Sequence, residues 1–135
     1  MIVIDTSAIV SVIRREDDAD AIAACMVDAS TVMLSAATLL EASIVLGDER
    51  FGILSEGDKL LDEFLYREGV IIEPVSTVQA QLARLAFGQF GKGTGHPAGL
   101  NFGDCFSYAL AKSLDLPLLY KGGDFAKTDI ASALA

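Results

Sequence analysis

The chain is predicted to be an α/β protein in which a central parallel sheet is flanked by helices. Its first apolar run, Ile2-Val3-Ile4, consists of β-favouring residues and leads into Asp5 and a helical pattern, as expected of a buried parallel strand. Short apolar runs then alternate with longer helical patterns, which is typical of a layered sandwich. The 135 residues are 52% apolar, enough for one core in a single domain spanning residues 1–135. Asp5 is therefore expected at the carboxyl edge of the sheet, where open α/β folds bind ligands.

The first half of the chain is predicted to contain two strands and three helices. Ser7 is expected to cap the first helix and Ser35 the third, because a serine hydroxyl can accept a hydrogen bond from the first helical turn. The second helix has an acidic start and an apolar face of Ile22, Cys25 and Met26. The predicted bounds are residues 2–5 and 32–34 for the strands and 7–13, 17–27 and 36–46 for the helices.

The second half is predicted to add three helices and two strands after a polar loop at residues 48–52. The helices are expected to start near residue 53 and end at 69, and to span 77–90 and 102–114; the strands are expected at 70–72 and 118–120. The apolar positions expected to face the core are Ile53, Leu60, Leu61, Phe64 and Leu65 in the first of these helices and Val78, Leu82, Leu85 and Ala86 in the second.

A glycine-rich segment, residues 91–99, separates the last two helices. A phosphate-binding P-loop needs Gly-Lys followed by Ser or Thr after a strand, whereas Gly91-Lys92 is followed by Gly93 and preceded by a helix. We therefore interpret the segment as a flexible loop. It either simply connects two helices or touches a nucleic-acid backbone through Lys92 or His96.

Charge and cysteine content exclude several classes of protein. The net charge of −9 argues against a broad nucleic-acid-binding face, so a polyanionic substrate would be met locally by a metal or a few cations. Cys25 and Cys105 are interpreted as buried free thiols, because neither a secretory signal nor further soft ligands accompany them. No apolar stretch approaches the roughly 20 residues of a membrane helix, and the start lacks the basic residues of a signal peptide. A soluble cytoplasmic protein is expected.

Four carboxylates stand apart from the other acids because their surroundings are apolar or conformationally restricted. They are Asp5 at a strand end, Glu41 in a charge-poor helix, Asp104 among apolar residues and Asp124 after two glycines. Each has a structural alternative: Asp5 could cap a helix, Glu41 could be a lone exposed charge, Asp104 could favour the helix dipole and Asp124 could form a turn. If the four converge, their repulsion calls for a divalent cation, and hard oxygen ligands select Mg²⁺ or Mn²⁺.

These residues resemble the PIN-domain ribonucleases, and specifically the VapC toxins of type II toxin-antitoxin systems. The resemblance is carried by Ile4-Asp5-Thr6-Ser7-Ala8, by the isolated Glu41, by Asp104 with a helix after it, and by Leu118-Leu119-Tyr120-Lys121-Gly122-Gly123-Asp124-Phe125. It covers essentially the whole chain. It implies a PIN-like three-layer sandwich with a central parallel sheet of four or five strands flanked by helices.

The same resemblance implies a Mg²⁺-dependent endoribonuclease in which Mn²⁺ can substitute. Asp5 and Asp104 are expected to be the most direct metal ligands, with Glu41 and Asp124 completing the site through water. Mg²⁺ usually takes only one or two carboxylates directly, so the outer acids can orient and deprotonate the water that attacks an RNA phosphodiester. Thr6 or Ser7 is expected to support this arrangement, and four carboxylates can hold one ion or two.

The resemblance also implies partners, namely a VapB-like antitoxin and a second copy of the chain in a homodimer. Apolar residues of the first two predicted helices are expected to offer a groove for a partner helix, and core packing explains most of them equally well. They are Ile9, Val12, Ile13, Ile22 and Met26. A basic antitoxin segment would place Arg or Lys near the carboxylates.

Two other classes fit the sequence less well. A phosphatase of the haloacid dehalogenase type needs a second Asp two residues after the first, where this chain has Ser7. A catalytically inactive PIN-like module that binds nucleic acid or protein is the alternative, and the presence of all four acids argues against it.

Overall fold

Four short strands form one parallel sheet in the computed structural model, which describes residues 1–47 and 56–134. The strands are β1 (Ile2–Ile4), β2 (Val32–Ser35), β3 (Ile71–Glu73) and β4 (Leu118–Leu119). The described helices are α1 (Thr6–Ile13), α2 (Ala19–Asp28), α3 (Ala36–Leu46), α4 (Glu56–Arg67), α5 (Thr77–Phe90) and α6 (Phe102–Leu114), followed by a 3-10 turn at Phe125–Lys127. The predicted bounds of α3, α5 and α6 are confirmed at both ends. The loop predicted at residues 48–52, and Ile53 after it, lie outside the described residues.

The strand order is β3-β2-β1-β4, with every neighbouring pair parallel. Ile2 is paired with Val32 on one side, and Val3 with Leu118 on the other. Beyond β4, Leu118 forms a single parallel bridge with Ser132. The predicted parallel sheet of four strands is confirmed, and this bridge occupies the place of a fifth strand.

Alternating residues of the strands face two separate cores, which gives the three layers. Val3 and Leu118 pack with residues of α5 and α6, among them Phe90 and Tyr108. The neighbouring residue Ile4 packs on the opposite face, in a core built largely from α1, α2 and α4. Because both faces of β1 and β4 are covered, these two strands are apolar throughout. The edge strand β3 is more exposed and ends in Glu73. Among the helices that the structure describes, none is both long and apolar enough to cross a membrane.

The start of α1 differs from the prediction that Ser7 caps it. The helix begins at Thr6, one residue earlier, and Asp5 is its N-cap. The Asp5 carboxylate accepts a hydrogen bond from the backbone N–H of Ser7. The cap is Asp5 because the helix follows the last residue of β1 without an intervening turn, so this carboxylate lies both at a strand end and at a helix start.

The buried face of α5 differs in part from the prediction, since Leu82 and Ala86 pack inward as predicted but Val78 and Leu85 do not. Val78 and Leu85 are 64% and 69% exposed, whereas Ala83 and Ala86 are buried. Small side chains let α5 approach α6 closely, so packing selects the alanines and leaves the larger residues outside. Leu60 in α4, at 46% exposed, was likewise wrongly predicted to face the core.

The apolar residues proposed as a partner groove are mostly core residues. Ile9, Ile22 and Met26 are at most 4% exposed and pack beneath the sheet. Val12 and Ile13 are partly buried against the same core. The predicted groove is therefore reduced to two residues at the end of α1, because the first two helices use their apolar faces to cover the sheet.

Backbone hydrogen bonds close the base of the glycine-rich segment. The Lys92 N–H donates to the Leu100 carbonyl at 2.8 Å, and the Leu100 N–H donates to the Phe90 carbonyl at 2.9 Å. The His96 ring packs edge-on against Phe90, and its Nδ1 accepts a hydrogen bond from the N–H of Ala98. Both predicted free thiols are confirmed: Cys105 is buried, and Cys25 is partly buried.

Candidate active site

Asp5 is a buried carboxylate whose two oxygens are both hydrogen-bonded. It is 3% exposed at the carboxyl end of the central strand β1. Oδ2 accepts hydrogen bonds from the backbone N–H and the hydroxyl of Ser7, at 3.0 and 2.7 Å. Oδ1 accepts one from the hydroxyl of Ser107 on α6, at 2.6 Å. Hydrogen bonds to the ionised form offset much of the cost of burying the charge.

Glu41 projects from α3 toward the same place. The Thr6 hydroxyl donates a 2.5 Å hydrogen bond to its Oε1. Its Oε2 lies against Gly103 in the first turn of α6, so closely that a Cβ at that position would overlap the carboxylate. Burial raises the pKa of Glu41; the Thr6 hydrogen bond opposes that rise, and the charge of Asp5 adds to it.

Asp104 caps helix α6 and also belongs to the acidic cluster, by which we mean Asp5, Glu41 and Asp104. Its Oδ2 accepts the N–H of Asn101 at 3.0 Å, while the Asn101 side chain accepts the N–H of Asp104, which makes a reciprocal cap of α6. The pKa of Asp104 is raised to about 7, chiefly by burial; the charges of Asp5, Glu41 and Asp124 add to the rise, and the Asn101 hydrogen bond opposes it. The helix-dipole alternative for Asp104 is thus compatible with a place in the cluster.

Asp124 follows β4 and is exposed. It starts the 3-10 turn at Phe125–Lys127 without making a side-chain cap hydrogen bond. Its charge contributes to the raised pKa of Asp104. The structure therefore brings Asp5, Glu41 and Asp104 together, with Asp124 near enough to act on Asp104 electrostatically.

Three of the four predicted acids line a cleft of about 320 Å³ at the carboxyl edge of the sheet, and Asp124 is not among the described residues that line it. Asp5, Thr6, Glu41, Asn101 and Asp104 contribute to its walls.

Lys121 is the one cation among the described residues that line the cleft. Its Nζ is paired with Glu16 at 3.0 Å and with Asp18 at 3.2 Å, and these carboxylates raise its pKa. Its backbone N–H donates to the Ser7 hydroxyl. The end of β4 is thereby attached to the start of α1 next to Asp5.

Several residues of the site were not found by sequence analysis. Thr38 on α3 has its hydroxyl 3.1 Å from that of Ser107. Ser107 and Thr38 carry no local signature, because a serine or threonine in a helix is most often a solvated residue. Gly103 did carry a signal, since a glycine inside a helix costs about 1 kcal/mol relative to alanine and calls for a reason. Here the reason is the close approach of Glu41.

The donor set suits a hard divalent cation. Asp5, Glu41 and Asp104 offer only oxygen atoms. The pKa values of Glu41 and Asp104 are raised first by burial and then by the charges of neighbouring acids. In residues 1–47 and 56–134, no group of three His, Cys, Asp or Glu side chains is already arranged to hold an ion. Mg²⁺ usually binds one or two carboxylates directly and keeps several waters, through which the other acids can act.

The whole chain is similar to proteins of one family. The family model described as PIN domain matches residues 2–131. The chain is 49% identical over 132 residues to ribonuclease VapC28 of Mycobacterium tuberculosis, covering 98% of this chain and 97% of that protein. It is 46% identical over 130 residues to a ribonuclease VapC of Mycolicibacterium smegmatis, covering 96% of this chain and 98% of that protein.

Two crystal structures share the fold. VapC20 of Mycobacterium tuberculosis, a sarcin-ricin loop cleaving toxin, has a TM-score of 0.74 at 18% identity and covers 97% of each chain. FitAcB of Neisseria gonorrhoeae has a TM-score of 0.67 at 21% identity, covering 98% of this chain and 96% of the other. The parallel sheet with carboxylates gathered at its carboxyl edge is thus that of a PIN domain. Within that class, the chain belongs to the VapC ribonuclease family.

Proposed function

We propose that the protein is a metal-dependent endoribonuclease that acts as the toxin of a type II toxin-antitoxin pair. The observation that carries the proposal is the cleft in which Asp5, Glu41 and Asp104 meet, in a chain of the VapC family. The raised pKa of Asp104, about 7, supports a site that needs a cation to hold its acids in the charged form.

In this proposal each acid has its own task. Asp5, held by the hydroxyls of Ser7 and Ser107, would bind the metal directly together with Asp104. Glu41, oriented by Thr6, accepts the proton of the attacking water, and Asp124 orients water or substrate. A bound Mg²⁺ or Mn²⁺ would supply the positive charge that offsets the phosphate and makes water a better nucleophile near neutral pH.

Partners follow from the family in the same proposal. A VapB-like antitoxin would neutralise the enzyme by placing a basic side chain beside the acids of the cleft, where opposite charges favour binding. Val12 and Ile13 are the residues of the originally predicted groove that such a partner could still contact. We also propose that the protein is a homodimer located in the cytoplasm. Light scattering of the purified chain measures its molar mass and so tests the homodimer.

A cleavage assay tests the proposed activity. The purified protein is incubated with transfer, ribosomal and messenger RNA in EDTA, in Mg²⁺ and in Mn²⁺, beside the variant Glu41→Gln. We expect internal cleavage of RNA with either metal and none in EDTA. Glu41→Gln keeps the shape of the side chain and removes its charge, so it should fold and lose most of the cleavage.

The outcomes separate nuclease from binding module. Cleavage that persists in EDTA would contradict metal dependence, and wild-type turnover by Glu41→Gln in saturating Mg²⁺ would place Glu41 outside the site. RNA binding without cleavage under every condition would favour the catalytically inactive module. Growth arrest on expression in bacteria, relieved by Glu41→Gln, tests the role as a toxin.

A further inference from the structure

Two buried hydroxyls, those of Thr38 and Ser107, form a hydrogen-bonded pair that ends on Asp5. Thr38 and Ser107 are 1% and 0% exposed, and their Oγ1 and Oγ atoms are 3.1 Å apart. The Ser107 hydroxyl is also 2.6 Å from Oδ1 of Asp5, a residue 102 positions away in the chain. Burying polar groups is unfavourable unless they are hydrogen-bonded, so this arrangement calls for a structural or functional reason.

The direction of the two hydrogen bonds follows from the number of protons. Each hydroxyl carries a single proton, and an ionised carboxylate can only accept. Ser107 therefore donates to Asp5, and its oxygen accepts from Thr38. The result is a directed chain from Thr38 through Ser107 to Asp5, in which each bond polarises the next and strengthens the hold on the carboxylate.

The chain of hydroxyls connects the three elements that carry the acids of the cleft. Thr38 precedes Glu41 by three residues on α3, and Ser107 follows Asp104 by three residues on α6. Residues three apart on a helix lie on the same side, one turn from each other. The two hydroxyls thus join the end of β1 to α3 and to α6, each about one helical turn from the acid of that helix.

Ser7 and Ser107 hold Asp5 in different ways. Ser7 is two residues from Asp5 and bonds to Oδ2 as part of the local start of α1. Ser107 comes from another element of the fold and bonds to Oδ1. Only the second contact can make the position of Asp5 depend on the position of α6.

We propose that Ser107, supported by Thr38, is a positioning residue of the nuclease site. It fixes the orientation of the Asp5 carboxylate and the spacing of α3 and α6, and through them the distances among Asp5, Glu41 and Asp104. The inference rests on the proposed function, because it takes Asp5 as a metal ligand. Hydrogen-bond partners behind metal ligands typically affect metal affinity or activity by 10- to 100-fold.

Three variants test the inference. Ser107→Ala removes the donor to Asp5, and Thr38→Val removes the supporting donor at nearly constant volume. Ser113→Ala is the matched control, since it removes a hydroxyl of the same helix that donates to the Leu110 carbonyl. The first readout is the Mn²⁺ midpoint, defined as the Mn²⁺ concentration that half-saturates the folded protein in a calorimetric titration, which does not depend on activity. The second is kcat and KM for RNA cleavage.

We expect Ser107→Ala to raise the Mn²⁺ midpoint by about tenfold or more and to lower kcat with little change in KM. Thr38→Val should change both quantities in the same direction by less, and Ser113→Ala should match the wild type. Wild-type midpoint and kcat in a folded Ser107→Ala protein would overturn the proposal, even if its metal-free melting temperature falls. If Ser107→Ala does not fold, an unchanged midpoint in Thr38→Val overturns it alone.

Failure of the proposed function would look different. A wild-type protein that neither cleaves RNA nor responds to Mn²⁺ would contradict the metal-dependent nuclease itself, and the positioning role with it. A wild type that cleaves, with variants that cleave and bind Mn²⁺ equally well, would contradict only the role of Ser107.

Discussion

Replacing Asp104 by Asn tests whether repulsion among the acids of the cleft opposes folding. The pKa of Asp104 is raised from 3.8 to about 7, chiefly by burial and then by Asp5, Glu41 and Asp124. A shift of roughly three units corresponds to at most about 4 kcal/mol. Because the side chain is partly exposed and solvent screens its charge, we expect about half of that, ~2 kcal/mol. Asn removes the charge and keeps an oxygen that can accept the Asn101 N–H.

The sign follows from proton linkage. A pKa that is higher in the folded than in the unfolded protein means that the folded state binds the proton more tightly. The stability contributed by that proton is complete below pH 3.8 and is lost as the pH rises through about 7. The stability of the metal-free wild type should therefore fall furthest below that of Asp104→Asn at alkaline pH.

The assay is thermal unfolding in EDTA at pH 8 and pH 5.5. Asp104→Asn should melt about 5 to 8 °C above the wild type at pH 8, and the difference should shrink at pH 5.5. Asp62→Asn is the control, because it makes the same charge change at an exposed position of α4. With Mn²⁺ at a hundredfold excess over Kd, the wild type should gain about 2.7 kcal/mol, and Asp104→Asn should lose most of that gain.

Two results would refute this reasoning. Asp104→Asn melting well below the metal-free wild type at both pH values would mean that its cap hydrogen bond outweighs the repulsion. A full metal response in the variant would mean that Asp104 is a helix cap and not a ligand.

Further variants test the approach of α3 to α6 and the partner surface. Gly103→Ala should fold but lose at least about 90% of cleavage, because its Cβ displaces the Glu41 carboxylate; Gly88→Ala, with open space around its Cβ, is the control and should cleave normally. Equal activity of the two variants in a cleavage assay would contradict the role of this approach. Val12→Asp or Ile13→Asp should weaken antitoxin binding by roughly 2 kcal/mol or more and leave nuclease activity largely intact. Normal binding by both folded variants in a titration would place the antitoxin surface elsewhere.

The order of helices and strands could be predicted because its signals are local. The caps and breaks around residues 36–46, 77–90 and 102–114 depend on a few neighbouring residues, and these bounds are confirmed. The inward face of α5 could not be predicted in the same way. Ala86 was predicted to face inward and does, but hydropathy also favours Leu85, which is exposed, and does not indicate Ala83, which is buried by the packing of α5 against α6.

The acids of the cleft were predictable because each lies in an unusual local setting. Asp5 follows an apolar strand, and Glu41 is the lone charge of α3. The residues that position these acids could not be predicted in this way, because Ser107 and Asp5 are in contact but lie 102 positions apart in the chain. Such a hydroxyl has no periodicity or spacing to distinguish it from a surface serine.

Asp104 shows that one residue can have a structural and a functional role at the same time. Its Oδ2 is held by the Asn101 N–H, so the helix cap determines how the carboxyl group is oriented at the wall of the cleft. The helix start that the cap stabilises also carries Gly103, against which Glu41 lies. Losing the cap would therefore displace two of the acids at once, because the same first turn of α6 positions both. The cap supports the fold and the geometry of the acidic cleft together, and the repulsion among the acids is opposed by the hydrogen bonds that place them.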